Sequence, residues 1–463
     1  MKNVIMILSW FLVTAFVGFN ILAVLDKKKA IGNLECAGLS FLIGLGAISI
    51  EMFLIGAIGL KFRLSFILLP WIALFFFNLV FSRGCFTRKS NFSIKRLSLF
   101  EQAIVGLLSF EVCYTFFRAL IKPIEAYDSV SIYALKSKIL YMAHTIPKDF
   151  FTEVLKPFHG VHPDYPLLVS MSEVWFYAFI GSVNDFLVKS IFPVSFLCFL
   201  VAFYFILKRF VKKRITALLF TFVLASIAQF NAYATIGVAD LLLGVNFSLG
   251  LFYLCLWIKD KEKSAYLYIS AMFSMLAVWT KNEGMILALI ILFVLFLDTV
   301  IRRSYCDKGK LVLVSFYFVV VGAFIFGFIS YKNSLGLVNE NFNLSMINGE
   351  NLLSGLRKIP LVLYEYQKQF FGFKKWNIVW VISLFLFISR FKESFKRDNL
   401  YATVPIILFF IGYTAVYMFS AVEIDFFLRK TTSRFFLHIL PVLVFWIACI
   451  TKQDNVGEAL QNA

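Results

Sequence analysis

The chain has 463 residues, 60% of them hydrophobic and 58 of them phenylalanine, and a formal net charge of +18. That composition excludes an ordinary soluble globular domain. Apolar runs of roughly 17 to 25 residues recur from end to end, each long enough to cross a bilayer. Backbone polar groups in lipid must be satisfied within their own segment, so the expected fold is all-α, a polytopic membrane bundle.

In chain order, Met1 to Val24 is apolar, lacks a small-residue cleavage site leading into a soluble chain, and reads as the first membrane helix. Basic clusters then alternate with the apolar runs. They are Lys27-Lys28-Lys29, residues 83–96, Lys208-Arg209 with Lys212-Lys213-Arg214, Lys259 with Lys261 and Lys263, Arg302-Arg303 with Lys308 and Lys310, and Arg390 and Lys392 with Lys396-Arg397. Basic residues between spans mark the cytoplasmic side, so the charge reads as topology and not as a nucleic-acid surface. Three apolar runs, about 99–120, 167–182 and 186–207, lie between two such clusters, one too many for a hairpin. The middle run is the shortest and holds Glu173, so it is expected to lie in the outer interface, leaving about thirteen spans. The amino terminus is then outside and the tail 452–463 inside. The outward segments become 121–185, 231–240, 280–284, 331–375 and 421–434. The seven cysteines show no CxxC pairing, which speaks against a disulfide framework and a zinc site.

The polar residues gather on that outward face. Glu125 to Leu168 is a polar island holding three of the four histidines. Within it, Ile132, Leu135, Ile139 and Met142 recur at helical spacing with Lys136 and Lys138 beside them, a pattern for a helix lying flat with its lysines at headgroup level. Asp128 at its first turn is either a helix cap or a carboxylate placed to take a proton from a hydroxyl. His162-Pro-Asp164-Tyr-Pro166 reads as a rigid turn before the next helix. Asp240 opens an apolar run, where it is a cap or a functional carboxylate. Lys281 and Glu283 share a very short turn between apolar segments, where charge is costly unless paired or used. Lys281 either snorkels to headgroups or binds a lipid phosphate. Arg434 and His438, four apart, share one helix face. Glu101 and Glu111 sit within the run before the island and either mark a proton path or face a polar cavity.

Taken in order, Tyr127-Asp128-Ser129 with Tyr133-Ala-Leu-Lys136, His162-Pro-Asp-Tyr-Pro-Leu-Leu168, Ala239-Asp240-Leu241, Thr280-Lys-Asn-Glu-Gly284 and Thr432-Ser-Arg434 leading to Pro441 resemble the GT-C superfamily of polytopic glycosyltransferases. The likeness is to bacterial relatives of the protein O-mannosyltransferases and of the lipid A aminoarabinose transferase. It implies a transferase core over 99–451, with 121–185 as the extracytoplasmic catalytic loop and 331–375 as a lid, and leaves 1–98 outside. It further implies inverting transfer of a sugar from a polyprenyl-phosphate donor to an extracytoplasmic acceptor, with membrane lipids around the site. By similarity Asp128 is the general base, Lys281 and Arg434 meet the donor phosphate, and Lys136, His162, Asp164, Asp240 and Glu283 complete the substrate site. No cofactor is implied for certain. Many relatives carry a second acid beside the first-loop aspartate where this chain has Ser129, which leaves a divalent metal open. The alternatives are a transporter or flippase of a lipid-linked or anionic solute, or a surface-polysaccharide polymerase or ligase.

Overall fold

The structure is a computed structural model that describes residues 2–81, 97–303, 306–339, 346 and 348–452. The basic stretch 83–96, Cys85, most of the Asn-rich part of the 331–375 loop, and the tail beyond Lys452 lie outside those residues. In order, the helices are α1 (Lys2–Leu25), α2 (Asn33–Ala57), α3 (Leu64–Phe81), α4 (Leu99–Leu120), α5 (Leu135–Ala143), α6 (Leu168–Ile180) and α7 (Ile191–Val211). They continue with α8 (Arg214–Ala225), α9 (Ala228–Tyr233), α10 (Ala239–Lys259), α11 (Ser264–Thr280), α12 (Glu283–Ile301) and α13 (Lys308–Ser334). The last are α14 (Gly349–Phe370), α15 (Phe373–Trp376), α16 (Val379–Ser389), α17 (Phe391–Ser394), α18 (Arg397–Met418) and α19 (Ile424–Ile450). No strand occurs among the described residues. By length and composition, ten helices are able to cross a membrane, and α6, α8, α11 and α16 are shorter apolar helices.

Helix α10 is apolar all round and buried from Ala239 to Ile258, as a central helix must be. Helices α7, α11, α12 and α19 pack on it, and α2 packs on α6 and α7. The first two helices belong to this packing: Trp175 donates to Thr14 Oγ1 at 2.9 Å and Trp279 to Ser49 Oγ at 2.8 Å. By contrast α3, α4 and α13 turn large apolar side chains outward, among them Phe76, Phe110 and Phe326. Water would penalise that surface, whereas lipid accepts it. The protein is membrane-embedded and multi-pass.

The polar island departs from the helix expected of it. Asp128 is followed by a π-helical turn, Ser129–Ala134, before α5 begins. Hydrogen bonds that skip to the fifth residue insert an extra residue per turn, and each inserted residue rotates the following face by roughly 100°. The Ile132-to-Met142 stripe is therefore broken. Met142 is exposed, and the buried face reads Ile132, Tyr133, Lys136, Ser137 and Leu140. Lys136 points into the protein instead of sitting at headgroup level. Only Lys138 keeps a surface position, 2.8 Å from Asp185. Beneath α5, Ser137 donates to the buried Glu173 of α6. At 13 residues α6 is too short to cross a bilayer alone.

Candidate functional site

The site grows from four places where the chain is forced to bring charge inward. Residues 281 and 282 link α11 to α12, and Gly284 makes the link tight, because a Cβ there would overlap the carbonyl of Ala277. This turn buries Lys281, and α10 begins beside it with Asp240. Gly244, one turn further along α10, has no side chain to hold off the α19 backbone at Leu437 and His438. That lets α19 bring His438 and Arg434 against the start of α10. The fourth place is the residue ahead of the π-helical turn, Asp128.

The result is a connected chain of charges. Lys281 Nζ lies 3.0 Å from Asp240 Oδ1 and 3.0 Å from Glu283 Oε1. His438 Nε2 is also 3.0 Å from Asp240 Oδ1, and its Nδ1 is 3.1 Å from the Tyr413 hydroxyl. If Nε2–H donates to Asp240, Nδ1 accepts from Tyr413, which fits a neutral ring with both nitrogens used. Arg434 pairs with Asp128 and also feels the field of Asp240. Burial alone would lower the Lys281 pKa, but Asp240 and Glu283 more than reverse this and hold it above its ordinary value. Exposure changes along the chain. Asp240, Lys281 and His438 side chains are at most 5% exposed, while Asp128 and Arg434 are 22% and 25% exposed. The accessible end of the network is thus the Asp128–Arg434 pair.

A second group adjoins the first through Asn282, the residue between Lys281 and Glu283. Asn282 donates to Asp164 Oδ2 at 2.6 Å, and Lys332 Nζ donates to Asn282 Oδ1 at 3.0 Å. Burial raises the Asp164 pKa, an effect that His162 and Asn282 partly offset. Lys136 donates to the His162 carbonyl at 2.6 Å, and burial lowers its pKa to about 7 despite the pull of Asp164. His162 itself has φ of 48° and stacks on Tyr165, ring centroids 4.7 Å apart. The rigid turn is therefore present, although α6 starts at Leu168, two residues beyond Pro166.

All eight sequence-selected positions fall in these two adjoining groups, with several altered roles. Asp128 precedes the π-helical turn but its side chain caps nothing; it is spent on Arg434. Asp240 likewise serves Lys281 and His438 and not its own helix start. Lys281 does not snorkel; it is buried between two carboxylates. Glu101 and Glu111 lie elsewhere, the first paired with Arg214 at 2.5 Å and the second beside Asn231 at 3.3 Å. Asn282, Lys332 and Tyr413 were not selected. Only Asn282 carried a local signal, its place between two charged residues. His438 had one as well, its spacing from Arg434. Among the described residues, no three His, Cys, Asp or Glu side chains lie close enough together to hold a metal ion.

No family model matches the chain, and no curated protein or solved structure resembles it significantly. A functional reading therefore rests on the residues themselves.

Proposed function

We propose that the protein is a membrane glycosyltransferase. It moves a sugar from a polyprenyl-phosphate-linked donor to an extracytoplasmic acceptor (a cell-envelope glycan, lipid or protein), with inversion. The observation that carries this reading is the Asp128–Arg434 pair at the accessible end of an otherwise buried charge chain. A carboxylate and a guanidinium in contact are the two groups that sugar transfer from a lipid phosphate requires.

In the proposed reaction the donor phosphate takes over Arg434, and Asp128 is released from its cation. The acceptor hydroxyl oxygen attacks the anomeric carbon and its proton passes to Asp128. The bond from that carbon to the phosphate oxygen breaks, and its electron pair leaves on the polyprenyl phosphate, facing Arg434. Asp240, Lys281, Glu283 and His438 act behind this pair. With its ammonium committed to two carboxylates, Lys281 holds Asp240, and Asp240 tethers Arg434 electrostatically. Lys136, His162 and Asp164 form the neighbouring wall. Helix α14 is strongly amphipathic, and Lys358 on it donates to the carbonyls of Met418 and Ser420 at 3.2 and 3.1 Å, which ties this lid candidate to the end of α18. In this reading α8, α11 and α16 join the ten long helices as spans, the basic loops are cytoplasmic, and the site faces outward at the cell membrane.

The transporter reading draws on one observation, the near-complete burial of Asp240, Lys281 and His438, since ionisable groups deep in a bundle often mark transport paths. One assay separates the two. Membranes holding wild type or Asp128→Asn at equal expression are given radiolabelled polyprenyl-phosphate sugars and cell-envelope acceptors. Transfer by wild type and its loss in Asp128→Asn is the expected result. Transfer by neither protein would favour a transporter, and full activity in Asp128→Asn would remove that residue from the chemistry.

A further inference from the structure

At the opposite end of the bundle lies an open cavity of about 630 Å³, lined by the ends of α7, α10, α12 and α19, by α17 and by the start of α18. Its floor is apolar, with Phe210, Ile258 and Phe445. Around it stand Lys212, Lys259, Arg390, Lys396, Arg397 and Lys452, with Arg302 as a seventh cation and Glu393 and Asp398 as the two acids.

Positive charge at this end has two ordinary causes. Helix C-termini attract cations, and basic residues mark the cytoplasmic side of membrane proteins. Neither cause requires a cavity with the cations arranged around it, and several neighbouring cations at this end are matched by buried acids. Arg209 holds Glu35 through two contacts of 2.7 and 2.5 Å, Arg214 holds Glu101, and Lys261 and Arg302 share Asp298. Apart from Arg302, the cavity cations are different. Arg390 donates to the carbonyl of Ile450 at 2.7 Å and Lys259 to that of Arg209 at 2.6 Å, contacts that orient a side chain without neutralising it. Lys396 stands 3.7 Å from Glu393, with both side chains well exposed. Lys212, Arg397 and Lys452 make no ion pair among the described residues. Like charges held this near one another are unfavourable, and an anion in the cavity relieves them.

We infer that this cavity binds an anion carrying one or two phosphate groups, the phosphate among the six cations and any apolar portion against Phe210, Ile258 and Phe445. Arginine forks and lysine point charges are the usual phosphate partners. An anionic phospholipid headgroup and a free pyrophosphate share that chemistry, and basic pockets between membrane helices take such headgroups. The inference does not rest on the transferase reading, because the cavity and the Asp128–Arg434 pair lie at opposite ends of the bundle.

The test uses the full chain purified in detergent, with phosphatidylglycerol, phosphatidylcholine or inorganic pyrophosphate added, and reads retained lipid by native mass spectrometry and affinity by thermal shift. Binding of phosphatidylglycerol over phosphatidylcholine identifies a lipid site, and binding of pyrophosphate alone identifies a soluble anion; either supports the proposal. Removing three charges in Lys396→Gln/Arg397→Gln/Lys452→Gln should weaken binding roughly a hundredfold, at about fivefold per charge. The single exposed change Lys452→Gln should give about fivefold by itself, which keeps the test valid should the triple variant fold poorly. Lys27→Gln/Lys28→Gln removes charge away from the cavity and should bind as wild type. Binding of neither anion, or equal binding by wild type and Lys452→Gln, would overturn the proposal.

Discussion

At one end of α10, Asp240 is held between Lys281 and His438; at the other, about 30 Å away, Lys259 stands with Arg390 and Lys452 around an open cavity. The first end buries its charges and partners nearly all of them. The second leaves its charges exposed and lets positive charge accumulate. In an apolar bundle a buried charge is tolerated only when its partner arrives with it, so the first end is fixed by folding. A wet charge is tolerated alone, so the second end is available to a ligand. In the first network Asp128 and Arg434 are the most accessible members, which is why the proposed chemistry is placed there.

The comparison is broken most sharply by removing the pieces of the buried end. Asp128→Asn is expected to leave folding intact and to lower transfer by about 10²–10⁴-fold, the usual contribution of a general base; donor binding measured alongside transfer separates lost chemistry from lost affinity. Lys281→Met leaves Asp240 and Glu283 facing each other without their cation. It should cost about 3–5 kcal/mol, read as a large drop in the melting temperature of the detergent-solubilised protein. A loss below about 1 kcal/mol would mean that water reaches Lys281 and that the two ends are alike. Asn282→Ala strands Asp164 and Lys332 together and should cost about 1–3 kcal/mol in the same measurement.

A pH series sharpens the contrast. Burial lowers the Lys136 pKa to about 7, while in the unfolded chain it has its ordinary value near 10.5. Between these values the unfolded state binds the extra proton, so stability contributed by this residue is lowest below pH 7 and rises as pH climbs towards 10.5. Melting temperatures of wild type relative to Lys136→Met should therefore increase across that window; a flat difference would show Lys136 to be charged and solvated. The smallest effect belongs to the surface. Lys122 and Glu125 are 3.1 Å apart but more than half exposed, and Lys122→Ala should change stability by no more than about 0.5 kcal/mol.

Much of this was legible in the sequence, and the limits have physical causes. Apolar run length alone gives helices in a membrane, because lipid leaves the backbone no other option. Charge placed in an apolar context singled out Asp240, Lys281 and Arg434, since such residues are too costly to be incidental. What periodicity missed was phase. Nothing in Ser129–Ala134 announces a π-helical turn, so periodicity places Lys136 at the surface, whereas the turn rotates it inward. Partnerships were also hidden. Asp240 and His438 are 198 residues apart, and Lys332 reaches Asn282 from 50 residues away, separations that no local pattern encodes. For the same reason the sequence leaves Asp128 open between a cap and a functional carboxylate: its partner is supplied by α19, and only the packed bundle brings it near.

The central claim is that Arg434 exchanges Asp128 for the donor phosphate. Its most direct test is the binding of polyprenyl phosphate to wild type, Asp128→Asn and Arg434→Gln reconstituted in nanodiscs. Loss of the competing carboxylate should make Asp128→Asn bind more tightly than wild type, and Arg434→Gln should bind far more weakly. Equal binding by all three proteins would contradict the account.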